Sequence, residues 1–213
     1  MTYRALTILA GIMFMSFNSA CDDLNNIAPE KENPIQKAAI KPNPLLPHRV
    51  TAQFAGGIGM ISAGPGYQVL KNKISFDLLY GYVPEKFSLD PLHIFTLKIS
   101  YEPFSIPVQK LSFIPVQTGL YLSYTTGKEF FMKNFTSSND YPPNYYWFST
   151  ALREGFFISS AIRGESGKLN LKFESYFEIS TNDAYLVSIV PNVGELGLEE
   201  ILVFGTGIRI FFR

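Results

Sequence analysis

The carboxyl-terminal stretch of this chain alternates between two kinds of side chain, and this alternation limits what the chain can fold into. One parity carries Leu202, Phe204, Ile208, Ile210 and Phe212, and the other carries Val203, Gly205, Gly207 and Arg209. Successive residues of a β-strand point to opposite sides of a sheet, so the stretch predicts a strand with one apolar and one small or charged face. In water the apolar face would be buried in a core. In a bacterial outer membrane it would contact lipid, while the other face lined a closed barrel.

The same period of two recurs in seven further segments, which predicts an all-β fold. We predict strands at residues 50–61, 67–70, 74–83, 93–102, 114–124, 146–162, 169–179 and 201–213. The sequence A-G-P-G at residues 63–66 predicts a turn between the first two strands. The sixth segment is the least regular, because Glu154 shares the parity of its apolar residues. A bulge would restore the phase, and a helix over residues 150–162 is the competing interpretation.

The predicted connections differ in length between the two ends of the sheet. If the amino-terminal segment is periplasmic, the turns after the second, fourth and sixth strands lie on its side and are mostly short. Two connections on the other side are long, at residues 125–145 and 180–200. An even strand count with short turns at one end and long loops at the other is typical of outer-membrane barrels, whereas a soluble sandwich has no reason to sort its loops. A soluble lipocalin-like barrel is the alternative architecture.

The amino terminus predicts export. Residues 1–20 begin with a single basic residue, Arg4, continue with an apolar run and end in Ser19 and Ala20, which is the layout of a signal peptide. The only cysteine, Cys21, follows directly and is a candidate for lipidation, because N-S-A-C is similar to the end of a lipoprotein signal. Ordinary cleavage near Ala20 is the alternative. Residues 21–48, with five prolines, predict a flexible periplasmic linker, which leaves residues 49–213 for the barrel.

Net charge and composition limit which classes of partner this chain can bind. The chain has 18 basic and 18 acidic residues, so no basic field favours nucleic acid. Charged residues make up only 17% of the chain and aromatic residues 15%. This balance indicates a protein whose outer surface contacts something other than water.

The charged residues of the strands fall mainly on the parity opposite the apolar one. The set predicted to point into the barrel is Asp77, Lys98, Glu102, Arg153, Lys172, Glu174, Glu178 and Arg209. A barrel of about eight strands is just wide enough to be filled by its own side chains. Buried charges must be paired and hydrogen-bonded, so these four acids and four bases predict an internal salt-bridge network. The alternative is that they form the solvated face of a soluble sheet.

Aromatic residues cluster near the predicted strand ends. Tyrosine and tryptophan prefer the boundary between membrane and water, so these residues predict an aromatic girdle. The members are Tyr80, Tyr82, Tyr101, Tyr124, Tyr146 and Trp147.

With strand count, loop sorting and the terminal aromatic strand taken together, the chain from Val50 to Arg213 resembles the small eight-stranded outer-membrane barrels of Gram-negative bacteria. The resemblance implies an antiparallel up-and-down transmembrane β-barrel in the outer membrane. Its implied partners are the lipid bilayer, lipopolysaccharide and the barrel-assembly machinery. The fold hosts adhesins, structural anchors, small pores and lipid-modifying enzymes, so it does not identify an activity.

We therefore expect a non-enzymatic barrel that anchors and displays its external loops, with no metal and no cofactor. The alternatives are a small pore and an enzyme of the lipid A deacylase type. Such an enzyme needs a serine, a histidine and an acid that converge. The only combination available is His93 with Ser88 or Ser149 and an acid such as Asp90.

Overall fold

The computed structural model describes residues 46–127, 130, 151–166, 171–189 and 197–212. The predicted signal peptide, Cys21, most of the linker, Ser149, Tyr146 and Trp147 lie outside these residues. The strands are β1 (Arg49–Ala55), β2 (Ile61–Val69), β3 (Ile74–Val83), β4 (Leu92–Tyr101), β5 (Ile106–Val108), β6 (Leu111–Thr126), β7 (Leu152–Ser166), β8 (Leu171–Asn182) and β9 (Val203–Phe211). The helices are a 3-10 turn (Glu85–Phe87), α1 (Asp183–Ile189) and α2 (Leu198–Ile201). None of the described helices is long and apolar enough to cross a membrane.

Eight of the nine strands form one closed antiparallel ring. The order is β4-β3-β2-β1-β9-β8-β7-β6, and a further pairing of β4 with β6 closes the ring. The first and last ring strands pair from Arg49 opposite Phe211 to Ala55 opposite Gly205. The three-residue β5 lies outside the ring and pairs only with the start of β6. The prediction of an eight-stranded antiparallel barrel is confirmed.

The two ends of the barrel differ. At one end, here called the turn end, lie both termini of the ring, the connections at residues 70–73 and 102–110, and the facing ends of β7 and β8. At the other, the loop end, lie the connections at residues 56–60 and 84–91, the ends of β6 and β7 that flank one long connection, and the ends of β8 and β9 that flank the other. The two longest connections are therefore at the same end, as the sequence predicts.

The first hairpin differs from the prediction. The turn lies at residues 56–60, and residues 63–66 belong to β2. The backbone explains the turn, since Gly56, Gly57 and Gly59 all have positive φ, which glycine adopts without strain. In β2, glycine is required at position 66 for a steric reason, because a Cβ on Gly66 would lie 2.2 Å from the Asp77 Oδ1 atom. This glycine makes room for an interior carboxylate and does not form a turn.

Two further details concern the sixth predicted strand, for which the sequence left a helix and a bulge open. The described residues of that prediction, 152–162, form a strand as predicted and not the alternative helix. β7 pairs with β8 without a break from Gly155 to Ser166. The register shift lies in β6 instead, between Ile114 and Gln117. No bulge therefore moves Glu154 to the inner face, and it stays on the outer wall.

The residue before β1 is hydrogen-bonded to the barrel. The His48 N–H donates to the Gly66 carbonyl, and the Phe212 N–H donates to the His48 carbonyl, both at 2.9 Å. The His48 ring also accepts a hydrogen bond from the Gln68 N–H at 2.9 Å. These bonds hold His48 against β2 and the end of β9, directly before the predicted and observed start of the barrel at Arg49.

Candidate functional site

The barrel interior holds a charged network of eight residues that come from six different strands or their ends. Its members are Arg49, Asp77, Lys98, Glu102, Arg163, Glu174, Glu178 and Arg209. Alternation places these side chains inward because each occupies the same parity of its strand as its buried neighbours. We call this set the charged network.

One part of the charged network joins β1 to β3. The Arg49 Nε and Nη2 atoms donate to the two Asp77 carboxylate oxygens at 2.9 and 2.5 Å. The Thr51 hydroxyl donates to the Asp77 Oδ1 atom at 3.1 Å. Both charged side chains are 1% exposed, so this two-pronged pair is fully removed from solvent. Bidentate arginine–carboxylate pairs combine charge with fixed geometry, which holds the two strands in one relative position.

A second part crosses the middle of the barrel. The Lys98 Nζ atom donates to Glu178 Oε2 at 2.5 Å and to Gln53 Oε1 at 3.1 Å. The Gln53 amide nitrogen donates to the other Glu178 oxygen at 3.3 Å, and the Tyr176 hydroxyl donates to Gln53 Oε1 at 2.8 Å. The Lys98 ammonium also lies 4.1 Å from the centre of the Phe157 ring. The amide of Gln53 therefore links the only lysine of the network to an acid and a phenol.

The third part lies toward the turn end, where Glu174 is shared between two arginines. Arg209 pairs with Glu174 Oε1, and the Arg163 Nε atom donates to Glu174 Oε2 at 2.8 Å. Arg163 also donates to both Glu102 oxygens, at 2.6 and 3.3 Å. The Arg209 guanidinium lies 3.9 Å from the centre of the Tyr176 ring and donates to Gln117 Oε1 at 2.8 Å. These contacts satisfy charges that would be costly to bury alone.

Most of the predicted interior residues lie in this network, and two do not. Asp77, Lys98, Glu174, Glu178 and Arg209 are each at most 1% exposed, and Glu102 is partly buried. Lys172 lies at the end of β8, where its side chain is 41% exposed and 3.9 Å from Glu165. Arg153 lies near the loop end and pairs at 3.4 Å with Asp183, the first residue of α1. Both residues have inward parity, but the barrel wall ends beside them.

Arg49 and Arg163 replace these two bases in the interior. The sequence interpretation missed Arg49 because it precedes the first predicted strand, and Arg163 because β7 was expected to end at residue 162. A sequence signal for Arg163 existed, since it shares parity with the inward Phe157. The balance of four acids and four bases is kept with different members.

An apolar layer closes the interior on the loop-end side of the charged network. It consists of Ile58, Leu79, Tyr121 and Phe157, which are 0 to 4% exposed. Ile58 comes from the turn between β1 and β2, which the sequence interpretation had included in the first strand. The turn redirects its side chain over the barrel. Gly119 makes room for this layer, because a Cβ there would lie 2.5 Å from the Phe157 ring. The charged network and the apolar layer therefore occupy successive levels of the barrel interior.

The outer wall carries large apolar side chains that are exposed. Leu78, Phe95, Leu120 and Ile158 are 50 to 64% exposed. Of the predicted girdle, Tyr80, Tyr82 and Tyr124 lie on this wall near the loop end and Tyr101 near the turn end, each 38 to 46% exposed. Hydroxyl groups on the wall bond to the sheet itself: the Thr118 hydroxyl donates to the Phe157 carbonyl at 3.2 Å. The wall thus offers a nearly continuous apolar surface.

Two of the residues considered for a hydrolase site, His93 and Ser88, do not contact each other, and Ser149 lies outside the described residues. The His93 Nδ1 atom lies 2.6 Å from the Tyr80 hydroxyl, and Tyr82 is 5.5 Å away between ring centres. The Ser88 hydroxyl donates to the backbone carbonyls of Asp90 and Pro84. His93 therefore lies on the outer wall beside two tyrosines, and the described residues do not bring it together with Ser88.

Among the described residues, no group of three or more His, Cys, Asp or Glu side chains could hold a metal ion. No protein-family model, curated protein or solved structure matches this chain.

Proposed function

We propose that this chain is a non-enzymatic outer-membrane β-barrel of a Gram-negative bacterium, which anchors and displays the connections of its loop end. One observation carries the proposal: the strands bury their charges and expose their largest apolar side chains. Lys98 and Glu178 are 1% exposed, whereas Leu78 is 59% exposed. A soluble lipocalin-like barrel would need the opposite arrangement, because exposed apolar area in water is unfavourable.

The proposed orientation follows from the two ends of the barrel. The turn end, where residue 46 leads back to the predicted linker, faces the periplasm, and the loop end faces outward among lipopolysaccharide. Short turns at the periplasmic end and longer external loops support this orientation. Insertion would depend on the barrel-assembly machinery. If Cys21 carries acyl chains, they would add a second anchor on the periplasmic side.

A scaffold role is favoured over a pore because the interior is occupied. The charged network joins β1, β3, β4, β7, β8 and β9, and the apolar layer lies on its loop-end side. An ion would have to break buried pairs to pass. A rigid filled barrel suits a role in which the loops are held at the cell surface.

Cell fractionation combined with a heat-modifiability gel tests the location. We expect the protein in the outer-membrane fraction, with different migration before and after boiling. Recovery in the soluble periplasmic fraction, with unchanged migration, would overturn the proposal.

Cysteine labelling on intact cells tests the orientation. In a Cys21→Ser background, a membrane-impermeant maleimide should label Phe87→Cys at the loop end, where Phe87 is 63% exposed. The matched variant Lys71→Cys, in the short connection between β2 and β3, should be labelled only after the cells are opened. The reverse pattern would contradict the orientation while leaving the barrel intact.

Planar-bilayer recordings test the scaffold role. The purified barrel should give no steady conductance steps, because its lumen is filled. Steady steps at the level expected for an open lumen would support a pore instead.

A further inference from the structure

Glu154 is the only charged residue on the outward parity of the described ring strands. It is the third residue of β7, between the outward Leu152 and Phe156, and it is exposed. Its cross-strand neighbour is Leu122, which in turn pairs with Leu97 of β4. The sequence suggested that a bulge would turn this carboxylate inward, but the register of β7 is continuous around it. The charge therefore lies on the wall among leucines.

A groove runs along the wall beside Glu154. It has a volume of about 260 Å³ and is bounded by Leu97, Ile99, Leu120 and Leu122, with Glu154 and Gly155 on one side. Leu120 is 64% exposed and Ile99 is 39% exposed, so the groove is open to whatever surrounds the barrel. An apolar groove with one carboxylate at its side matches an amphiphile that has an apolar chain and a cationic head.

The position of Glu154 along the strand is consistent with contact to a lipid headgroup. It lies two residues from the loop-end start of β7, where a charge on a lipid-facing wall is far less costly than at the membrane centre. An ionisable residue at such a surface usually has a functional partner. Within the described residues, Glu154 forms no ion pair, unlike its neighbour Arg153, which pairs with Asp183.

A second copy of the barrel wall does not supply the missing cation. The described ring strands carry no lysine or arginine on their outward parity, since Lys98, Arg163 and Arg209 all point inward. Wall-to-wall contact would bring Glu154 against apolar side chains or another carboxylate. The unpaired carboxylate therefore favours contact with a cationic lipid headgroup over contact with a second barrel wall.

We propose that Glu154 and the adjacent groove form a binding site for a lipid whose headgroup carries a primary ammonium group. The Glu154 carboxylate accepts hydrogen bonds from the ammonium, and an acyl chain lies in the groove between β4 and β6. This site rests on the proposed membrane location of the barrel.

Native mass spectrometry of the barrel released from vesicles tests this site. The vesicles contain equal amounts of phosphatidylethanolamine and phosphatidylglycerol with identical acyl chains. We expect the wild-type protein to retain about fivefold more of the amine lipid, the upper range for an exposed ion pair. Glu154→Gln should reduce this ratio to near one. The matched control Glu165→Gln, an exposed carboxylate at the turn end of the same strand, should leave it unchanged.

The acyl-chain part of the site has its own variant. Leu120→Ser removes apolar lining without changing the charge, so it should lower retention of both lipids in proportion. Equal retention of the two lipids by the wild type, or a preference that survives Glu154→Gln, would overturn the site. A preference for phosphatidylglycerol that requires divalent cations would also overturn it, since the carboxylate would then hold a metal bridge. These outcomes in a heat-modifiable, membrane-inserted protein leave the proposed function standing, whereas failure of the wild type to enter membranes would remove both.

Discussion

The two faces of the barrel wall differ in how strongly each position depends on particular partners. Leu78 and Leu79 are adjacent in β3, yet Leu78 is 59% exposed on the outside and Leu79 is 1% exposed inside. Inside, each charge has a specific partner at hydrogen-bond distance, as in the Arg49–Asp77 pair. Outside, side chains need only be apolar, and their hydroxyl groups bond back to the sheet. Specific partners therefore stabilise the inner face, whereas the medium determines the stability of the outer face.

The largest effect should come from removing the shared acid of the inner face. Glu174→Gln leaves Arg163 and Arg209 without their common carboxylate, so the free energy of unfolding should fall by about 3–5 kcal/mol, the usual cost of breaking a buried pair. Urea titration followed by gels of unboiled samples measures this. The exposed Glu165→Gln should change stability far less. Equal losses in the two variants would mean that burial of the carboxylate inside the barrel does not determine the cost.

A charge on the outer face should have the next largest effect, but only in a membrane. Leu78→Arg should cost about 2–4 kcal/mol in bilayers, because an arginine near mid-height on a lipid-facing wall loses hydration. The same titration in lipid vesicles measures this cost, with Leu78→Ile as the control of matched size. A neutral effect of Leu78→Arg would indicate that the wall faces water.

Removing one threonine hydroxyl from each face of the barrel wall should change the free energy of unfolding by a smaller amount. Thr51→Val removes the hydrogen bond to Asp77 Oδ1 at 3.1 Å and should cost about 1 kcal/mol. On the outer face, Thr206 donates to the Tyr176 carbonyl at 3.0 Å. Thr206→Val should cost less than Thr51→Val in vesicles, since the new methyl group contacts lipid. A larger loss for Thr206→Val would reverse the proposed difference between the faces.

The smallest effect is expected at the end of the barrel. Lys172→Ala removes an exposed pair with Glu165 at 3.9 Å, and the change in unfolding free energy should stay below about 0.5 kcal/mol. Arg163→Ala, at a position that shares the inward parity but pairs inside the barrel with Glu102 and Glu174, should cost several times more. Equal losses of unfolding free energy in the two variants would indicate that Lys172 is part of the charged network.

Much of the barrel could be predicted because alternation is a local property. The predicted third strand, residues 74–83, has the observed bounds of β3, and both its faces are as expected. The turn of the first hairpin was predicted at the wrong place, because a sequence does not distinguish a glycine needed for positive φ from a glycine needed for space. Gly56 and Gly57 permit positive φ in a turn, whereas Gly66 makes space for Asp77 and Arg49.

The sequence could predict that a charged network fills part of the interior, but it could not predict all of its residues. Parity identifies which side chains point inward, and hence that acids and bases meet there. It does not show where the wall ends, which is why Lys172 and Arg153 were included and Arg49 and Arg163 were missed. The position of Glu154 was also misjudged, because a charge among apolar residues suggested a shift of register that lies in β6 instead.

The sequence by itself determined the strands, their two faces and the near-absence of charge on one of them, because side-chain direction along a strand depends only on position. Only the tertiary structure decided which acid pairs with which base, that Ile58 covers the interior at the loop end, and that Glu154 stays on the outer wall. These depend on the stagger between strands distant in sequence, and no period within one strand contains that information.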